Sequence, residues 1–148
     1  MEPDLGIASI AHAIQLAIAP VFLLTGIGSL LGVMANRLGR IIDRGRVLEH
    51  AWPGLSDAER EEAKRELESL AHRASFTSWA INFSALSTLL VCALIAVLFV
   101  EAIAGMHLRW MVGALFILAM IALSAGVVCF LREVHVATHT LRIGPPPA

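Results

Sequence analysis

Three long stretches of the chain contain no Asp, Glu, Lys or Arg, and they constrain its fold more than any other feature. They comprise residues 5–36, 74–100 and 110–131, which are 32, 27 and 22 residues long. An α-helix needs about 20 mostly apolar residues to cross the ~30 Å hydrocarbon layer of a membrane. Only 16% of the 148 residues are charged, well below the roughly 25% typical of a soluble domain. The sequence therefore predicts an all-α integral membrane protein with three transmembrane helices.

The positively charged residues are distributed unevenly around these spans. Eight of the 11 Lys and Arg residues lie between spans one and two, two follow span three, and only Arg109 lies between spans two and three. Because cytoplasmic loops carry the excess of Lys and Arg, we expect the N-terminus outside and the C-terminus in the cytoplasm. Residues 101–109 would then form an external loop, and residues 132–148 a cytoplasmic tail.

The segment between the first two spans, residues 37–73, has the pattern of two helices rather than of a loop. Apolar residues recur at spacings of three and four on both sides of Trp52-Pro53-Gly54, which should break the helix. Ser56 with Glu59 three residues later matches a capping box. We therefore expect a cytoplasmic antiparallel helical hairpin between transmembrane helices 1 and 2, each arm continuing its span, within one membrane domain. Its apolar stripes would be Leu38, Ile41, Ile42, Gly45 and Leu48 on one arm, and Ala63, Leu67, Leu70, Ala71 and Ala74 on the other.

One face of the first span is polar. Its members fall within about a third of a helical wheel, and polar groups in hydrocarbon are costly enough that such a face should meet protein or water. This face would either pack against spans two and three or line a water-filled path in a homo-oligomer, and the sequence leaves both alternatives open. The pore-lining candidates are His12, Gln15, Phe22, Gly26, Ser29 and Asn36.

Four further residues within the spans are predicted to shape helix packing. Gly28 and Gly32 form a GxxxG motif, whose small residues let two helices approach closely. Pro20 removes one backbone hydrogen bond in the middle of span one. The amide of Asn82, in span two, should bond to another helix because lipid cannot satisfy it.

Charged residues collect at the cytoplasmic ends of spans one and three. The stretch NRLGRIIDR, residues 36–44, follows the first uncharged block, and Arg132-Glu133 follows the third. Rings of Arg favour anion permeation, and each Arg near an anionic leaflet contributes roughly 1 kcal/mol to lipid binding. We expect Asp43 to join a fixed network with neighbouring arginines. The predicted cytoplasmic charge cluster is Arg37, Arg40, Asp43, Arg44, Arg132 and Glu133.

The sequence contains no pattern typical of an enzyme. The serines lie in apolar spans without a G-x-S-x-G context, and no carboxylate lies inside a span. His135 and His139 have a spacing that suits a metal, but no third ligand is evident nearby. We therefore predict no catalytic residue, no metal and no cofactor. Nucleic-acid binding is disfavoured because the basic cluster lies at the membrane surface.

Two stretches of the chain resemble a known family. They are "LAIAPVFLLTGIGSLLGVMANRLGRIIDR", from Leu16 to Arg44, and "LREVHVATHTLRI", from Leu131 to Ile143. Both are similar to small bacterial membrane proteins grouped as domain-of-unknown-function family 2721, and the similarity covers nearly the whole chain. The resemblance implies a multi-pass protein of the bacterial inner membrane with three helices. It implies no activity, substrate or binding residue.

Two functions follow as hypotheses. The first is a homo-oligomeric ion channel in which the polar face of transmembrane helix 1 lines the path. The alternative is a non-conducting structural or regulatory membrane protein. In that case the helical hairpin would bind a cytoplasmic protein partner or anionic lipid headgroups.

Overall fold

The chain folds into long helices joined by short connections. The computed structural model describes the backbone of residues 3–104 and 108–139, and the side chains of residues 10–104 and 108–135. Each long helix is apolar and long enough to cross a membrane, which confirms the predicted all-α membrane architecture. In these residues the elements are α1 (Pro3–Ala51), a 3₁₀ turn (Trp52–Gly54), α2 (Asp57–Ala104) and α3 (Arg109–His139).

Two of the helices combine a membrane span with one arm of the hairpin. α1 has 49 residues and continues without interruption through Pro20, and α2 has 48 residues. At about 1.5 Å per residue each helix is roughly 70 Å long, more than twice the hydrocarbon thickness. The prediction that each arm continues its span is therefore confirmed. The borders between span and arm, and the side of the membrane on which the hairpin lies, stay predictions.

The hairpin turns at the predicted position. The N–H of Leu55 donates to the carbonyl oxygen of Trp52 at 3.4 Å and closes the 3₁₀ turn. Ser56 then precedes α2, and its N–H and hydroxyl both donate to Oε2 of Glu59, at 2.8 and 2.6 Å. Both hydrogen bonds lower the pKa of Glu59, and the bond from the hydroxyl has the larger effect. The contact predicted from the Ser56 and Glu59 spacing is thereby confirmed.

The buried residues of the three helices recur every seven positions. A repeat of seven gives 3.5 residues per turn, which keeps one face of each helix against its neighbour through a left-handed supercoil. Most side chains at these positions are small. We call these positions the buried seam. It comprises Ala13, Ala17, Pro20, Ile27, Met34 and Ile41 in α1; Ala63, Thr77, Ala80, Ser84, Ser87, Val91, Leu94 and Leu98 in α2; and Ala119, Ala122, Gly126 and Glu133 in α3.

α2 is the central helix. It packs along both α1 and α3, whereas α1 and α3 share no comparably extensive contact within the described residues. Near the middle of its span the Ser84 hydroxyl donates to Sδ of Met34 in α1, at 3.9 Å. On the other side lies Gly126 of α3, where a Cβ would stand 2.8 Å from Ser84 Oγ and 3.0 Å from the Ala80 carbonyl oxygen. Small residues therefore set the helix spacing, as expected where lipid removes the hydrophobic drive for association.

Two residues of the predicted hairpin stripes lie outside its core. Ile41 and Ala63 are buried as predicted, but Ile42 and Ala71 are exposed. A helical period of 3.6 residues predicts these stripes, whereas the arms continue the repeat of 3.5 residues that begins in the spans. Ile42 consequently lies beside the buried seam rather than in it. For these two residues the prediction is wrong.

Candidate functional site

A second stripe runs along the side of α1 that faces away from the other helices. Gln15, Phe22, Ser29, Asn36 and Asp43 recur every seven positions, so the stripe stays parallel to the buried seam. All five side chains are exposed, and Phe22 exposes 73% of its surface. We call these five residues the outer stripe.

All of the pore-lining candidates lie on or beside the outer stripe. His12 and Gly26 flank it, one helical turn before Gln15 and Ser29, and both are exposed. The polar face of span one therefore does not pack against α2 or α3 in this structure. The sequence leaves open whether this face packs against spans two and three or lines a path in a homo-oligomer. Packing against the other two helices is not found within the described part of the protomer.

The polar groups of the outer stripe differ in how far the helix itself satisfies them. The hydroxyl of Ser29 donates to the carbonyl oxygen of Thr25 at 3.1 Å and needs no further partner. The amides of Gln15 and Asn36 form no hydrogen bond to any other residue in the described part of the chain. Each amide has two donor hydrogens and an acceptor oxygen. Within the predicted span, residues 5–36, such groups need water or a second protein surface.

The residues predicted to shape helix packing lie on different sides of the protomer. Gly28 and Gly32 are exposed next to the outer stripe, and a Cβ at either would meet no atom within 4 Å. Pro20 belongs to the buried seam on the opposite side of α1. Asn82 is exposed on α2 and, among the described residues, has no hydrogen-bond partner. The GxxxG face is thus open on the protomer.

Charged side chains from all three helices meet where the uncharged blocks end. Glu133 of α3 is completely buried, and its Oε1 accepts hydrogen bonds from Nη2 and Nε of Arg73 in α2, at 3.0 and 3.2 Å. Arg37 of α1 approaches from the other side, with Nε 3.5 Å from Oε2 of Glu133. Its guanidinium carbon also lies 5.5 Å from the centre of the Phe130 ring. Glu133 therefore ties the three helices together at one level.

Arg37 is held less tightly than Arg73. Its 3.5 Å approach to Glu133 is a charge contact, because Oε2 has no hydrogen-bond partner among the described residues. The Arg37 side chain also keeps 26% of its surface exposed. Its Nη groups are therefore not committed to Glu133.

A second ion pair joins the two arms of the hairpin. Arg44 binds Glu66 through both ends of its guanidinium, Nε to Oε1 at 2.7 Å and Nη2 to Oε2 at 3.2 Å. The hydrogen bond to Glu66, together with its charge, raises the pKa of Arg44. Exposed pairs of this kind add little to stability, but the bidentate geometry fixes the register of the arms.

The predicted charge cluster comes together only in part. Arg37 and Glu133 are in contact, whereas Arg40, Asp43 and Arg132 are exposed and form no ion pair within the described residues. Glu133 rather than Asp43 holds the central position, because its seam position turns it inward between α1 and α2. Asp43, on the outer stripe, points away from both.

Two members of this charged region are not among the residues predicted from the sequence. Arg73 contacts Glu133, and Glu66 contacts Arg44. One signal was available, since the first arm is net basic and the second net acidic. A second signal is that Arg73 lies four residues before Thr77, at the start of the buried seam of span two.

Metal-binding side chains do not cluster in the parts of the chain whose side chains are described. No three His, Cys, Asp or Glu there are placed to hold a metal ion. Cys92 and Cys129 are free thiols. The side chain of His139 lies outside the described residues, so the structure does not test whether His135 and His139 could share a metal.

Comparison with known proteins identifies the family. The family model described as "Protein of unknown function (DUF2721)" matches residues 17–143. No curated protein and no solved structure matches the chain significantly. Because the match covers most of the chain, including Glu133 and the outer stripe from Phe22 to Asp43, the protein belongs to the DUF2721 family.

Proposed function

We propose that the protein functions as a homo-oligomer in the membrane, with the outer stripe of α1 facing the axis of the assembly and lining a path for ions or water. The observation that carries this proposal is the exposure of Gln15 and Asn36 on the side of α1 away from α2 and α3. Unsatisfied amides at membrane depth are stable only where protein or water reaches them.

A second copy of the chain can supply the partners that these amides lack. In a symmetric assembly around α1, each copy presents the same stripe at the same level, so the amides of one copy can bond to those of the next. The adjacent open glycines, Gly28 and Gly32, allow the close approach that such contacts need.

A path through a single protomer is not supported, because the polar groups between its helices are already bonded. Ser87 donates to the carbonyl oxygen of Ala119 at 2.8 Å, and Thr77 donates to the carbonyl oxygen of Arg73 at 3.0 Å. Bonded hydroxyls among small apolar side chains form packing contacts rather than a channel. Any path must therefore be built between copies.

The geometry also changes the ion preference expected from the arginines. Arg37 contacts Glu133 and Arg44 contacts Glu66, so neither contributes a full unpaired charge to a vestibule. An anion preference based on rings of Arg no longer follows. In the proposed assembly Phe22, the bulkiest member of the outer stripe, would form the narrowest ring within the span.

The second part of the proposal concerns the side of the membrane on which the hairpin lies. The hairpin lies in the cytoplasm of a bacterium and the protein in its inner membrane, as the distribution of Lys and Arg and the family resemblance imply. A single cysteine at Ser56, in a background without Cys92 and Cys129, tests this. Labelling by a membrane-impermeant maleimide is expected in inverted vesicles and not in intact spheroplasts. The reverse pattern would contradict the orientation.

Ion flux into liposomes that contain the purified full-length protein tests conduction. We expect Ser29→Leu and Asn36→Leu each to reduce flux at least about tenfold, since each closes the path with an apolar side chain. The matched control is Ser124→Leu, which changes an exposed serine of α3. A monomer in the membrane, or no flux for any ion across a range of pH and voltage, would contradict the proposal.

A further inference from the structure

We propose that a groove lined by arginines at the foot of the hairpin binds a phosphate group, carried either by an anionic lipid headgroup or by a soluble phosphate ester. The groove lies between α1 and α2 and has a volume of about 370 Å³. We call it the arginine groove. It is lined by Arg37, Arg40, Arg44, Arg73 and Glu66, together with Ile41 and Leu70.

The charges around the arginine groove do not cancel. Four guanidinium groups line it, and two carboxylates neutralise part of them, Glu66 on Arg44 and Glu133 on Arg73 and Arg37. Two positive charges remain. The first is Arg40, which has no acidic partner in the described part of the chain. The second is shared by Arg37 and Arg73, which divide one carboxylate between them.

The donor geometry suits phosphate better than a carboxylate. A single guanidinium already satisfies both oxygens of a carboxylate, as Arg44 does for Glu66. Here guanidiniums arrive from two helices, so an anion with three or four oxygens can use several at once. A doubly charged phosphate monoester also matches the two excess charges.

The groove leaves room for a phosphate ester. Its volume of about 370 Å³ accommodates a substituent beside the phosphate.

The position of the arginine groove favours a lipid as the source. Arg37 directly follows the first uncharged block, and Arg73 directly precedes the second. Both therefore lie at the level where apolar chain gives way to headgroups, while Arg40 and Arg44 extend outward from it. All the lining residues belong to one protomer, so the site does not depend on the proposed assembly.

Replacing Arg40 gives the sharpest test, because its side chain has no intramolecular ion pair to lose. The matched control is Arg46→Gln, which removes another exposed arginine of α1 that lines a different groove. Both variants change the net charge equally. The measurement is native mass spectrometry of the full-length protein in neutral detergent, titrated with phosphatidic acid and, separately, with phosphatidylcholine.

We expect one phosphatidic acid per protomer and little phosphatidylcholine. Loss of one charged hydrogen-bond donor should raise the Kd about tenfold in Arg40→Gln and less than about twofold in Arg46→Gln. Arg40→Lys, which keeps the charge but not the planar fork, should fall between wild type and Arg40→Gln. Equal losses in Arg40→Gln and Arg46→Gln, or equal binding of the two lipids, would overturn the site.

Competition by glycerol phosphate distinguishes the two sources. Displacement of phosphatidic acid at millimolar glycerol phosphate, but not at the same concentration of glycerol, assigns the groove to soluble phosphate esters as well. Retention of the lipid assigns it to the headgroup with its attached chains. Failure of the site leaves the flux test untouched, because that test changes Ser29 and Asn36, which do not line the groove.

Discussion

The two sides of α1 differ in a way that hydropathy does not reveal. The side toward α2 presents Ile27 and Met34, which are almost completely buried. The opposite side presents Gln15, Ser29 and Asn36, which are exposed. Both sets recur every seven residues, so both stay aligned along the helix. A helix that packs only within its own protomer needs the buried set alone.

The comparison teaches that polar groups in a span need not mark the interior of the protomer that carries them. The buried seam of α1, from Ala13 to Ile41, contains no strongly polar side chain. The polar groups lie instead where the protomer has no neighbour. We infer that α1 serves two protein contacts, one inside the protomer and one between copies.

Replacement of Glu133, which lies between the three helices, should have the largest effect on the free energy of unfolding. Glu133→Gln leaves Arg37 and Arg73 without their shared buried carboxylate, and we expect a loss of about 3 kcal/mol in the free energy of unfolding. Denaturant unfolding in micelles measures it. Glu68→Gln, at an exposed position, should stay within about 0.5 kcal/mol of wild type. An equal loss in both variants would show that Glu133 does not hold the three helices together.

A change at the contact between α2 and α3 should have the second-largest effect on stability. In Gly126→Ala the new methyl group would stand 2.8 Å from Ser84 Oγ and 3.0 Å from the Ala80 carbonyl oxygen. We expect this to push the helices apart and cost about 2 kcal/mol. Gly113→Ala in the same helix meets open space, and should be neutral or stabilising by up to about 1 kcal/mol. Thermal unfolding of the two variants side by side decides the matter, and a stabilised Gly126→Ala would contradict the close packing.

A pair of truncations on α1 compares its two sides directly. Ile27→Ala should cost about 1 kcal/mol, less than in a soluble core, because lipid solvates the side chain in the dissociated helix and only packing contacts are lost. Val33→Ala, on the exposed side, should leave the unfolding of the protomer unchanged and alter only the assembly. Unfolding is measured in micelles and assembly by analytical ultracentrifugation. A larger unfolding effect for Val33 would reverse the assignment of the two sides.

The smallest effect is expected at the tip of the hairpin. Because hydrogen bonds from Ser56 lower the pKa of Glu59 below its ordinary value of 4.5, their contribution is present above that value and is lost as the pH falls through the lowered pKa. The protection factors of the amides in the first turn of α2, which are exchange rates corrected for the intrinsic dependence of exchange on pH, should fall as the pH drops through the lowered pKa. Glu59→Gln should show this weaker protection already at pH 7, and Glu62→Gln should not. Protection factors that do not change with pH would contradict the capping contact.

The sequence predicts the helices well, and for a physical reason. Uncharged blocks of more than 20 residues have few alternatives to a membrane span, and Trp52-Pro53-Gly54 followed by Ser56 is a strong local signal for a turn and a helix start. Local chemistry alone determines these features. The structure places each of them where the sequence indicates.

The rotation of each helix about its axis is not predictable in the same way. Within a uniformly apolar span the hydrophobic pattern does not distinguish lipid from protein, and the buried seam is marked by small residues such as Ser84 and Gly126. A search for small residues at alternating spacings of three and four would have found that seam. The ion-pair partners of a charged residue are harder still to predict. Glu133 contacts Arg73 and Arg37 only when all three helices have the right rotation about their axes.

Cysteine cross-linking in native membranes tests the central claim most directly, that the outer stripe of α1 lies between copies. In a background without Cys92 and Cys129, a single cysteine at Ser29 should form a disulfide-linked dimer on mild oxidation. Single cysteines at Ser124 on α3 and at buried Ala17 should not. Absence of the Ser29 dimer, or equal cross-linking at Ser124, would contradict the account.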